Sequence, residues 1–78
     1  MANITWQSVA SSAISKVGLE DSEISAQPVY LHVRFIRGTT YVYSVPTADY
    51  FDQFIKAGSK GRYYVFVIKA RFDYIRKY

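Results

Sequence analysis

The sequence predicts an α+β fold in which a small antiparallel sheet of about three strands is followed by two helices packed on one face. Residues 29–36 alternate between an apolar face and a mixed one, residues 39–45 alternate again, and Gly38 lies between the two runs. Two alternating runs joined by a short link that contains glycine are typical of a β-hairpin. After Pro46 the apolar residues recur every three or four positions, which is the period of an amphipathic helix.

The length of 78 residues allows one small domain with a single core. Such a domain buries only about 60–65% of the surface that its unfolded chain exposes, so its stability is expected to be marginal. The aromatic share of 18% compensates, because each buried ring removes a large apolar area from water. A homo-oligomer is a further way to supplement so small a core.

The composition excludes several classes of protein. The chain has no cysteine, so it forms neither a disulfide scaffold nor a thiolate metal site, and it suits a reducing, cytoplasmic location. It contains no apolar run of about 18 residues and no charged segment followed by an apolar block at its start. We therefore expect neither export nor a membrane partner.

The first part of the chain is less regular. Residues 1–10 are predicted to be an N-terminal arm or a short strand, and residues 11–78 a single domain. In residues 12–17, one alternating set suits a half-buried strand; its members are Ala13, Ser15 and Val17. The segment 20–23 holds three carboxylates and is interpreted as a solvated turn, since no histidine lies nearby in the sequence to complete a metal site.

The hairpin and the first helix have the clearest patterns. One face of the first strand is wholly apolar and requires a cover; it consists of Val29, Leu31, Val33 and Phe35. The predicted helix runs from an N-cap at Thr47 to a C-cap at Gly58. Its apolar stripe consists of Tyr50, Phe51, Phe54 and Ile55.

The conformation of residues 62–69 is left open by their pattern alone. Residues 63–68 are aromatic and β-branched, which favours a strand. At the helical period, however, the C-terminal segment has one stripe after a possible N-cap at Ser59; the stripe consists of Tyr64, Val67, Ile68, Arg71, Phe72 and Ile75.

The positive charge is concentrated in the last twenty residues. They hold six of the ten Lys and Arg residues and one acidic residue, Asp73, whereas residues 1–58 hold four cations and five acids. Aromatic residues alternate with these cations. Cations release counterions from phosphates and rings stack on unpaired bases, so this composition is typical of a nucleic-acid surface. The alternative is that the rings lie in the core and the cations form its solvated rim.

Four motifs follow one another along the chain. They are Ser11-Ser12-x-Ile14-x-x-Val17-Gly18, Leu31-x-Val33-x-Phe35-x-x-Gly38-x-x-Tyr41-x-Tyr43-x-Val45-Pro46, Ser59-Lys60-Gly61-Arg62-Tyr63-Tyr64 and Ile68-Lys69-x-Arg71-Phe72-x-Tyr74-x-Arg76. Their order and spacing over residues 11–76 resemble the KTSC domain. This family is named after the C-terminal region of some bacterial lysyl-tRNA synthetases and also occurs as short stand-alone proteins in bacteria and phages.

The resemblance implies an antiparallel sheet followed by helices, with Ser59-Lys60-Gly61 opening the last one, and it implies RNA binding. At residues 65–67 the chain has Val-Phe-Val, where the family more often has polar residues. This difference leaves a protein partner open.

The predicted nucleic-acid-binding residues are Ser59, Lys60, Gly61, Arg62, Lys69, Arg71, Tyr74 and Arg76. If residues 59–62 open a helix, its free N–H groups, its dipole and two cations form a phosphate site. The segment lacks the glycine spacing of a nucleotide-triphosphate loop. A helix cap with solvated neighbours fits the same residues.

No enzyme is predicted. The single histidine, His32, has no nucleophile or carboxylate placed by a motif, and the carboxylates are scattered. We expect no catalytic residue, no metal and no cofactor. The preferred interpretation is a small non-enzymatic nucleic-acid-binding module that binds backbone phosphates, of RNA more than of DNA. The alternative is a protein-interaction module, such as a phage-encoded regulator or inhibitor that docks on an acidic host protein.

Overall fold

The computed structural model describes residues 3–21 and 29–78. Within them the chain forms β1 (Asn3–Ser8), β2 (Ile14–Asp21), β3 (Val29–Phe35), β4 (Thr40–Val45), α1 (Asp49–Lys56), α2 (Lys60–Tyr63), a π-helical segment (Tyr64–Lys69) and β5 (Tyr74–Lys77). The strands form one antiparallel sheet in the order β1-β2-β3-β4-β5. The predicted α+β class is confirmed, but the sheet has five strands instead of about three.

The two additional strands are the two edges of the sheet. Segment 1–10, predicted as an arm or a strand, contains β1, which pairs along its length with β2. The prediction placed Ile75 on the stripe of the second helix, whereas Ile75 lies in β5 beside β4. Pairing with β5 satisfies backbone N–H and C=O groups that β4 would otherwise expose as an edge strand. The helical period of the sequence does not reveal these hydrogen bonds, because they join segments that are far apart in the chain.

A register shift in β2 overturns the predicted alternation there. The pairing with β3 shifts between Ile14 and Lys16, so the core receives both Ile14 and Val17, while Ser15 is exposed. A β-bulge adds one residue to a strand and so interrupts the period of two. The predicted acidic turn was wrong in part, because Glu20 and Asp21 belong to β2. Residues 22 and 23 lie outside the described residues.

The hairpin prediction is confirmed. β3 pairs with β4 from Val29 opposite Val45 to Arg34 opposite Thr40. The connecting turn is closed by the Gly38 N–H, which donates to the Phe35 carbonyl at 2.8 Å. Gly38 has a φ of 102°, which L side chains rarely adopt and glycine adopts readily.

The helices cover one face of the sheet, and the core lies between the two layers. Its buried members are Ile14, Val17, Leu31, Val33, Tyr43, Val45, Phe54, Tyr64 and Ile68. The predicted stripe of α1 is confirmed, with Phe54 fully buried and its other members packed around the core. The predicted caps of α1 were each displaced by one residue, to Ala48 and Ala57.

Residues 62–69 are helical: α2 continues directly into the π-helical segment, and together they form the second helix. The Ser59 side chain accepts a hydrogen bond from the Arg62 N–H at 3.3 Å, so the predicted N-cap is confirmed. From Tyr64 to Lys69 the helix widens into π geometry and directs Tyr64 and Ile68 into the core. Such segments are rare and are frequent at functional sites.

Candidate nucleic-acid interface

A cleft of about 870 Å³ lies between the β3–β4 turn, the end of the second helix and the start of β5. This volume is within the range of about 300–1,000 Å³ that is usual for small-molecule sites. The cleft is lined by Ser12, Ala13, Phe35, Ile36, Arg37, Thr39, Tyr41, Tyr43, Tyr64, Lys69, Phe72, Asp73 and Tyr74.

A continuous series of aromatic rings forms the wall of the cleft. Tyr41 meets Tyr74 with ring centroids 4.9 Å apart and Phe35 with centroids 5.8 Å apart. Phe35 in turn meets Tyr64 at 5.1 Å, and all three pairs are edge-to-face, a favourable aromatic geometry. The Tyr74 side chain remains 52% exposed, so part of its ring is free to contact a ligand.

The floor of the cleft is polar but uncharged. The hydroxyls of Tyr43 and Tyr64 lie 2.5 Å apart, and both side chains are buried. Burial raises the pKa of both phenols above the usual tyrosine value, because a phenolate is poorly solvated there. Both rings therefore stay neutral at physiological pH and satisfy each other's hydrogen-bonding groups.

The rim of the cleft is positive. Arg37 and Lys69 line it and are exposed, and the Lys77 ammonium lies 5.6 Å from the centroid of the Tyr41 ring. Asp73 is the one carboxylate among the lining residues. Among the side chains that the structure describes, no carboxylate forms an ion pair with any of the three cations. All three side chains are exposed, so an anion in the cleft can contact them.

The structure brings only two of the eight predicted binding residues together at this cleft, Lys69 and Tyr74. Arg71 is exposed at the end of the second helix. Arg76 lies on the other side of β5, where it borders a shallow depression with Glu20 and Val42. Tyr74 and Arg76 are two residues apart, but a register shift between Val42 and Tyr43 in the pairing with β4 places them on opposite faces. The basic segment is therefore divided between surfaces.

The remaining predicted residues lie at the corner between the two helices. Ser59 caps the second helix, and the Lys60 ammonium donates to the Ala57 carbonyl at 2.5 Å. Lys60 thus satisfies a main-chain acceptor at the end of α1. The phosphate site at residues 59–62, which includes Gly61 and Arg62, stays a prediction.

Sequence reasoning did not assign the hairpin residues of the cleft to the site. Arg37 lies beside Gly38 in the turn, and Tyr41 follows on the helix-covered face of β4. One feature of the sequence could have indicated them: Tyr41 and Tyr43 lie on the same face of one strand. A buried tyrosine hydroxyl needs a polar partner, so other polar groups were to be expected beside them. Their meeting with the C-terminal segment depends on tertiary structure.

The histidine lies on the opposite face of the sheet from the cleft, the face that the helices leave uncovered. His32 is buried, and its Nε2 lies 2.7 Å from a carboxylate oxygen of Glu20. The edge of the Trp6 ring packs on it, with ring centroids 5.7 Å apart. His32 is thus held in a polar pair by its neighbours.

Two features are absent from the part of the chain that the structure describes. Within it, no three His, Cys, Asp or Glu residues gather closely enough to hold a metal ion. Nor does it contain a helix with the length and hydropathy that crossing a bilayer requires.

The fold is that of a small α+β domain, with an antiparallel sheet that has one face covered by helices and an aromatic cleft at one end. Residues 10–72 match the KTSC domain family, and the chain belongs to this family. The comparison with curated proteins gives no match. The family match includes Arg37, Tyr41 and Lys69 of the cleft, whereas Tyr74 and Arg76 follow the matched residues.

Proposed function

We propose that this KTSC domain is a small non-enzymatic RNA-binding module that holds a short unpaired stretch of RNA in the aromatic cleft. One observation carries the proposal: the exposed ring of Tyr74 and the exposed cations Arg37 and Lys69 line the same cleft. Rings beside cations are the combination with which proteins bind single-stranded nucleic acids.

Each part of the cleft has a defined role in this proposal. A base stacks on the Tyr74 ring, which the edge-to-face contact with Tyr41 holds in place. Stacking of this kind contributes about 1–3 kcal/mol per base. Arg37 and Lys69 bind the flanking phosphates and release counterions, so binding weakens as salt increases.

The preference for RNA over DNA rests on polar groups that the cleft places beside the rings. Ser12 and Thr39 line it, and a hydroxyl can both donate to and accept from a ribose 2′-OH. The tRNA-synthetase context from which the family takes its name also favours RNA. Few groups that read base edges line the cleft, so sequence specificity is expected to be low.

The proposal is tested by fluorescence anisotropy with a labelled uridine tetranucleotide and its deoxy counterpart. We expect tighter binding of the ribonucleotide, and a loss of about tenfold in affinity for Tyr74→Ala and for Lys69→Gln. Lys56→Gln, which removes a cation from the exposed side of α1, is the matched control and should bind like the wild type. Circular dichroism confirms that each variant is folded. Wild-type affinity in both cleft variants would contradict the proposal.

A second candidate function, docking on an acidic protein surface, is favoured by the outer side of the second helix. Val65 is 47% and Phe66 is 67% exposed there, and Arg62 and Lys69 lie within four residues of this apolar pair. Exposed aromatic residues beside arginine are enriched in protein interfaces. A pull-down from a nuclease-treated bacterial lysate tests this function. A stoichiometric partner that is lost with Phe66→Ser supports it, and recovery of no partner argues against it.

A further inference from the structure

The face of the sheet opposite the helices carries a second group of cations, which we call the open face. It includes Lys16 on β2, Arg34 on β3 and Arg76 on β5. Lys16 lies directly opposite Arg34, and Arg76 lies opposite Val42 in the row that also contains His32. The helices pack on the other face, so no layer covers these side chains within the described residues.

Two like charges, those of Lys16 and Arg34, face each other in this group. Directly opposed charges of the same sign destabilise neighbouring strands. The Lys16 ammonium lies 4.6 Å from the centroid of the Trp6 ring, a contact that orients it and leaves its charge in place. Among the described side chains, neither Lys16 nor Arg34 forms an ion pair, and Glu20 on this face is bonded to His32. An anion placed between Lys16 and Arg34 would relieve their repulsion.

Strand β5 connects the open face to the cleft. It is the last strand of the sheet, so its outer edge has no neighbouring strand in the described structure. Tyr74 and Lys77 contact Tyr41 on the cleft side, whereas Arg76 lies on the open face. A ligand that leaves the cleft at Tyr74 therefore reaches Arg76 by crossing the edge of a single strand.

We infer that the open face is a second phosphate-binding surface for the RNA strand held in the cleft, and that this strand crosses the edge of β5. The inference rests on the proposed function. Phosphates beyond the cleft bind Arg76 first and then the pair formed by Lys16 and Arg34. Bases on this part of the strand are not required, because the group consists of cations that recognise backbone charge.

The test separates phosphate contacts from base stacking. The probes are a labelled uridine tetranucleotide and the same tetranucleotide extended at either end by about six abasic nucleotides. The extension adds phosphates but no bases, so it does not increase the number of ways in which a base can stack on Tyr74. For the wild type we expect one of the two extensions to raise affinity about tenfold, because the tethered phosphates bind at high effective concentration.

The decisive variant is Lys16→Gln combined with Arg34→Gln. It should bind the tetranucleotide like the wild type and lose the gain from the extension. Lys56→Glu changes the net charge by the same amount from the exposed side of α1 and should keep the gain. An undiminished gain in the double variant, or an equal loss in Lys56→Glu, would overturn the inference. If the wild type binds the tetranucleotide with no gain on extension, this inference alone fails. If it binds neither probe, the proposed function fails as well.

Discussion

The hydroxyls of Tyr43 and Tyr64 lie 2.5 Å apart, and their hydrogen bond joins β4 to the π-helical segment beneath the cleft. Both residues belong to the buried core, so each hydroxyl depends on the other as its partner. The pair holds the two layers of the domain together at the place where the cleft is formed.

Tyr64→Phe should lower the free energy of unfolding by about 1–3 kcal/mol, because it leaves the Tyr43 hydroxyl buried without a partner. Replacing both residues by Phe should cost less than the sum of the two single changes, since no orphaned hydroxyl remains. Urea denaturation of the two single variants and the double variant measures this coupling. Additive effects would show that the hydrogen bond contributes nothing.

The stability of the domain should fall in alkaline solution. Burial raises the pKa of Tyr43, Tyr63 and Tyr64. Above about pH 10 the unfolded chain loses phenolic protons that the folded chain retains. Stability is therefore fully present below about pH 10 and declines as pH rises through the raised pKa values of these tyrosines. Urea midpoints between about pH 8 and 11 check this slope. The variant with Phe at positions 43 and 64 should have a smaller one, and an unchanged slope would refute the explanation.

Gly18→Ala should destabilise the sheet by about 1–3 kcal/mol through overpacking. A Cβ at this position would lie 2.9 Å from the Trp6 ring and 3.0 Å from the Ile4 side chain. The ring must move, so tryptophan fluorescence should change together with the unfolding midpoint. At Gly61, where an added Cβ would meet open space outside its own helix, alanine should be neutral or stabilise the helix. Equal effects of the two substitutions would contradict the steric explanation.

Glu20→Ala should destabilise the protein by about 1–3 kcal/mol, because Nε2 of the buried His32 loses its hydrogen-bond partner. Asp52→Ala, which removes an exposed carboxylate from α1, should cost less than about 1 kcal/mol. Thermal unfolding of both variants at neutral pH provides the comparison. If the two substitutions have the same effect, the contact between Glu20 and His32 has no structural role.

The salt dependence of RNA binding should distinguish the two kinds of residue in the cleft. Lys69→Gln removes one phosphate contact, so the slope of log affinity against log salt concentration should become shallower by about 0.7. Tyr74→Ala removes stacking, so it should lower the affinity and leave this slope unchanged. Anisotropy titrations at several salt concentrations measure both values. A slope that changes equally in the two variants would argue against separate roles.

Elements specified by nearby residues were predicted well. The hairpin around Gly38, the stripe of α1 and the cap at Ser59 depend on contacts within a few positions. The prediction that the helices cover one face of the sheet was also confirmed. Two predictions that depended on strand pairing were wrong. A bulge at Ser15 changed which side chains of β2 face the core. Residues 74–77 form β5 because they pair with the unpaired edge of β4.

The candidate site shows the same division. The sequence identified Lys69 and Tyr74 through their charge and aromatic character, but it grouped them with residues that lie elsewhere, such as Lys60 and Arg76. It did not connect them with Arg37. A charge count along the chain carries no information on which face of a strand each cation occupies.

By itself, the sequence determined the class of fold, the family and the excess of positive charge, because periodicity, capping and composition are local properties of the chain. Only the tertiary structure decided which of these charges share a surface. Strand register and the alternation of side chains placed Lys77 beside the cleft and Arg76 on the open face, although the two are neighbours in the chain.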